Sequence, residues 1–152
     1  MSSISNIIRR ITSIFSRKKK TIDELLETTL NEFADKFPYI DAILLTRSDG
    51  LPLSTYQRKS TLKSTSSLPG FSALLANISI KALNGLDLGD FRNLILKTKK
   101  KFVLITPLNK FPDIRLMVIA NTTDEAKASL LQTYTKKVIN DLEVLLSSEG
   151  IS

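Results

Sequence analysis

Two short apolar runs constrain this chain more than any other feature. Ile43-Leu44-Leu45 and Leu116-Met117-Val118-Ile119 show no alternation between apolar and polar residues. A strand with one wet face alternates with a period of two, whereas an unbroken apolar run is covered on both faces. A chain with two such strands must supply a layer above and a layer below one sheet.

The segments around these runs can supply those layers. Thr21-Ile22-Asp23-Glu24 reads as a capping box, and the helix that follows runs to about Phe37 with an apolar face of Ile22, Leu25, Leu26, Leu30, Phe33 and Phe37. Pro38 ends it. A strand spans Tyr39 to Thr46, and Arg47-Ser48-Asp49-Gly50 turns the chain, with Asp-Gly supplying the positive φ of a tight hairpin. The chain returns over Leu51 to Tyr56, where Pro52 cannot donate to a ladder and so marks a sheet edge. Residues 57–68 are Ser/Thr-rich, with Arg58, Lys59 and Lys63 and no acid, and read as a mobile basic loop. A second helix is expected over Phe71–Asn84, its apolar side made of Phe71, Leu74, Leu75, Ile78, Ala82 and Leu83, with Gly85 as its stop. Three strands then follow, over Phe91–Lys97, Phe102–Leu108 and Ile114–Ala120, with Thr98–Lys101 as a solvated hairpin tip. Thr123 or Asp124 caps a last helix to about Leu146, with Leu130, Leu131, Tyr134, Val138, Leu142, Leu145 and Leu146 as its apolar positions. The fold class is an α/β (α+β) sandwich with helices on both faces of a five-stranded antiparallel sheet, since the hairpins require antiparallel neighbours.

The size, 152 residues, suits one folded body over residues 21–148, and 42% apolar content suffices for a core. The chain has no cysteine and no histidine, which excludes disulfides, thiol catalysis and Cys/His zinc sites. Neither a G-x-G-x-x-G nor a G-x-x-x-x-G-K-[ST] phosphate loop occurs, and there is no G-x-S-x-G elbow. No nucleophile, base and orienter assemble, so the sequence offers no cofactor, metal or catalytic site. Asp49 reads as a turn residue rather than a catalytic one, and the acids of Gly85–Asp90 fall short of a calcium loop.

Charge is unevenly placed. Residues 1–20 contain Arg9, Arg10, Arg17, Lys18, Lys19 and Lys20 and no acid, while the other 16 bases face all 15 acids. A nucleic-acid-binding body spreads its bases over a folded face, so no nucleic-acid partner is expected. Within the leader, Ile4, Ile7, Ile8, Ile11, Ile14 and Phe15 fall on one stripe of a helix. Residues 1–20 thus read as a basic amphipathic helix able to lie in a membrane interface, where each base adds roughly 1 kcal/mol near an anionic surface. The same stripe would also suit a partner protein, the chain's own body or a second copy, and the composition is shared with mitochondrial targeting peptides. No stretch of the sequence approaches the ~20 apolar residues of a spanning helix.

Residues 22–146 resemble the Roadblock (dynein light chain type) family. The resemblance is carried by Ala42-Ile43-Leu44-Leu45-Thr46-Arg47-Ser48-Asp49-Gly50-Leu51-Pro52-Leu53 as the first hairpin and Ala73-Leu74-Leu75-Ala76 in the middle helix. Leu86-Asp87-Leu88-Gly89 fits the exit from that helix, and residues 102–108 and 115–120 fit the closing strands. The resemblance implies sheet order 2-1-5-4-3 and no enzymatic activity. It implies a homodimer, or a heterodimer of Roadblock-type subunits, joined through Phe71, Leu74, Leu75, Ile78, Lys81 and Ala82 with Asn93, Ile95 and Lys97. It further implies a scaffold for a Ras-like small GTPase, or alternatively an adaptor subunit of a larger, dynein-like complex with the leader docked on protein. The expected location is the cytoplasm, including the cytoplasmic face of a membrane. The basic leader and the basic loop at 57–68 depart from the family pattern.

Overall fold

A computed structural model describes residues 21–58 and 68–149, and Asn6, which is exposed. The leader stripe and residues 59–67 of the basic loop lie outside the described residues. The described elements are α1 (Ile22–Lys36), β1 (Ile40–Arg47), β2 (Pro52–Gln57), α2 (Leu68–Gly85), β3 (Leu94–Lys97), β4 (Phe102–Pro107), β5 (Ile114–Ala120) and α3 (Glu125–Ser148). The sheet order is β2-β1-β5-β4-β3, antiparallel throughout.

The two unalternating runs are the centre of this sheet. β1 and β5 pair with each other, and every residue of β5 is buried. Their side chains divide by parity. Ile43, Leu45, Leu116 and Val118 pack under α1 and α3 with Leu26, Leu30, Phe33, Leu131 and Leu142. Ala42, Leu44, Met117 and Ile119 pack with Ile105 and Ala76 of α2 on the opposite face. The sandwich is therefore α1 and α3 over one face and α2 over the other.

Local chemistry fixes the ends of the elements. Thr21 accepts a hydrogen bond from the Glu24 amide at 3.3 Å and starts α1. Asp124 accepts from the amides of Ala126 and Lys127 at 2.8 and 3.1 Å and starts α3. Gly50 sits at φ +90° in the first hairpin, where Asp49 accepts from the Leu51 amide. Pro52 lies opposite Thr46 at the β2 edge. Glu143, buried in α3, accepts from the Asn109 amide at 2.7 Å and so ties the β4–β5 turn to that helix.

Several expectations need correction. α2 begins by Leu68, so Pro69 and Gly70 lie in its first turn, where a missing amide costs little; Gln57 belongs to β2. Gly85 is the last helical residue rather than the stop. The Leu88 amide reaches the Leu83 carbonyl at 3.0 Å and the Asp87 amide reaches Asn84 at 3.3 Å. This is a Schellman closure with Asp87, at φ +54°, as its left-handed residue. β3 starts at Leu94, three residues later than expected. Leu130 points into solvent rather than into the core. Lys101, expected at a solvated tip, instead forms an ion pair with the buried carboxylate of Asp41.

Candidate interaction surface

α2 is apolar almost all round; Lys81 is its one charged residue. Which side meets the sheet is decided by size. Ser72, Ala73 and Ala76 are buried, which lets the helix lie close on β1. Asn77 fixes its rotation by donating to the Ser48 carbonyl at 3.2 Å. The expected apolar side is therefore turned away from the sheet. Phe71, Leu74 and Ile78 are 56%, 53% and 56% exposed, and only Leu75 of that set packs against the sheet core. The exposed stripe runs on through Lys81, Ala82 and Leu86. A contiguous, almost uncharged apolar strip on a helix is the kind of patch that marks an interaction site rather than a wet face.

The second part of the surface is β3, which among the described residues pairs only with β4. An edge strand of this kind is the usual template for pairing with another chain. The strand register divides the residues expected here. Leu94 lies opposite Ile105, which belongs to the α2 side, so Leu94 and Leu96 project toward α2. Ile95 and Lys97 project toward the α3 side, and Asn93, just before the strand, lines a cleft beside α3. The structure thus brings Phe71, Leu74, Ile78, Lys81 and Ala82 together on one exposed face. It places Asn93, Ile95 and Lys97 around the sheet edge from them. Leu96, 38% exposed, is the more exposed of the two β3 residues on the α2 side. Sequence reasoning missed it, although the period-two pattern of the strand could have found it.

Among the described residues no group of three or more Asp, Glu, His or Cys side chains could hold a metal. No described helix is long and apolar enough to cross a membrane. Arg47 and Asp49, at the hairpin that α2 covers, pair with each other at 2.9 Å and serve the turn. One buried cation is unexpected. Arg115 lies beneath the α2 side of the sheet, opposite Thr46, and its pKa is lowered by burial, with Asp113 opposing the shift.

A five-stranded antiparallel sheet of this order, with one helix on one face and two on the other, defines a class of small α+β domains. The fold is that of a Roadblock/LC7-type domain. A Roadblock/LC7 domain from Streptomyces avermitilis superposes with a TM-score of 0.67 at 16% identity, covering 80% of this chain and 97% of that one. MglB from Myxococcus xanthus gives 0.68 at 16% identity, covering 83% and 90%. A structure described as MglB with tetrameric arrangement gives 0.69 at 14% identity, covering 85% and 93%. No family model matches the chain, and no curated protein does.

Proposed function

We propose that this chain is a non-enzymatic scaffold that pairs edge to edge with a second Roadblock-type subunit and binds a Ras-like small GTPase. The observation that carries the reading is the exposed stripe Phe71, Leu74 and Ile78 beside a bare β3 edge, within a Roadblock/LC7-type fold.

Magnitudes show why both features are needed. Covering three half-exposed side chains on each of two subunits contributes roughly 5–9 kcal/mol. Association costs about 4–15 kcal/mol in lost freedom. The gain from the stripe falls inside the range of that cost and leaves no assured surplus, and pairing of β3 with its counterpart adds to the affinity and sets the register. An assembly of more than one copy is also what one similar structure, MglB with tetrameric arrangement, is described as having.

The GTPase partner follows from the family resemblance. Such a scaffold would act by binding one arrangement of the switch segments better than the other, since a partner shifts only what it binds differentially. The leader, with six bases and an isoleucine stripe, would hold the assembly on an anionic cytoplasmic surface.

The decisive experiment is a pull-down with Ras-like GTPases from the protein's own cell, each loaded in both nucleotide states. Selective capture of one state supports the reading, and capture of none overturns it. Co-sedimentation with anionic vesicles tests the leader separately. Removing residues 1–20 should abolish pelleting, and pelleting that survives the removal would refute a role for them.

A further inference from the structure

On the face opposite α2, the sheet is wider than the helices that cover it. α3 packs against β4 and meets β3 at the Lys97 end, through the Lys97–Glu125 ion pair at 3.7 Å, and beyond that end two adjoining clefts of about 300 and 630 Å³ open. They share Asn93, Thr106, Lys136 and Ile139 and so form one continuous groove. Its wall is a single stripe of α3, Ser129, Thr133, Lys136 and Asn140, at helical spacing. Its floor is apolar, with Leu104, Leu108 and Ile139 buried at the base.

The chemistry of the lining is one-sided. Among the described residues it includes Arg92 and Lys136 and not one Asp or Glu. Both cations are exposed, and neither forms an ion pair with any described residue. The remaining polar groups are amides and hydroxyls, which can donate to an acceptor. A groove with an apolar floor, donors on its wall and two unpaired cations fits one kind of occupant.

We propose that this groove binds a segment of a partner protein that carries carboxylates beside apolar side chains, with Arg92 and Lys136 as the residues that grip the acids. Charge decides against the chain's own leader, whose six bases and absence of acid would meet two further cations. The groove shares Asn93 with the expected subunit interface, but neither Arg92 nor Lys136 belongs to that set, and the site needs no GTPase.

The test uses the full-length chain and a fluorescently labelled amphipathic peptide of Leu, Ala and Glu as the probe. A second peptide with Lys in place of Glu, and a third comprising residues 1–20 of this chain, serve as competitors. The proposal expects the Glu peptide to bind and the other two not to compete. R92E/K136E should weaken binding about tenfold. The same charge change at the β3–β4 turn, K99E/K100E, should leave it within about twofold, which separates a site from general attraction. Ser129→Trp, which fills the groove without altering charge, should also abolish binding. No binding of the Glu peptide, equal loss in both double variants, or displacement by residues 1–20 overturns the proposal. So does self-association beyond a dimer that R92E/K136E removes, which would give the groove to another copy.

Discussion

Replacing Arg115 with methionine is expected to stabilise the fold, and the size of the gain follows from the structure. Arg115 is 3% exposed, and its Nε and Nη1 have no hydrogen-bond partner among the described residues. Each buried orphan donor costs about 1–3 kcal/mol. The attraction of Asp113, the one carboxylate that raises the Arg115 pKa, offsets part of this. Methionine keeps an unbranched stem in the same space and has nothing to leave unsatisfied. The net expectation is a gain of about 1–4 kcal/mol, the range seen when poorly compensated buried charges are replaced by well-packed apolar residues. For a chain of this size that is a rise of roughly 3–12 °C in Tm. Urea unfolding at fixed protein concentration should show the midpoint rising with an unchanged slope. Arg115→Lys retains a charge in the same place and should show no such gain. A fall of more than about 1 kcal/mol in Arg115→Met would refute the reasoning, because it would mean that the guanidinium is satisfied after all.

Other expectations follow from single contacts. Asp87→Gly removes a side chain from the left-handed position that closes α2 and should stabilise by about 0.5–1 kcal/mol in the same unfolding assay, whereas Asp87→Val should destabilise. Lys101→Met leaves the buried Asp41 carboxylate without its ion-pair partner and should cost about 3 kcal/mol or more, while Asp41→Asn with Lys101→Met should recover much of that loss. Ultraviolet titration of the tyrosines should find Tyr134 ionising below the ordinary tyrosine range, because the Lys36 ammonium beside it favours the phenolate. Tyr39 should ionise above its ordinary range because it is desolvated by burial, with Asp124 adding to the shift, and Lys36→Ala should move Tyr134 upward.

Much of the fold was legible in the sequence because local signals agreed with the tertiary result. The two apolar runs are the doubly covered centre of the sheet, Pro52 lies at an edge, and Thr21 and Asp124 cap the helices they precede. What was not legible depends on contacts between distant segments. The stripe Phe71, Leu74 and Ile78 has the spacing of a core face, and only the close seating of Ser72, Ala73 and Ala76 turns it outward. Two apolar stripes on one helix cannot be ranked by periodicity alone. Asp41 and Lys101 are 60 positions apart, so their pairing has no local signature. The burial of Arg115 is likewise invisible in its strand, since a lone base among apolar residues reads as a residue facing water. The acid-free groove beside α3 emerges only when Arg92 and Lys136 are brought onto the same side of the sheet.

Analytical ultracentrifugation of the full chain tests the edge-to-edge scaffold most directly. The account predicts a dimer that persists when residues 1–20 are removed and dissociates in L74E/I78E, with secondary structure unchanged in both. A monomer at high concentration, or a dimer that survives L74E/I78E yet falls apart when residues 1–20 are removed, would contradict it.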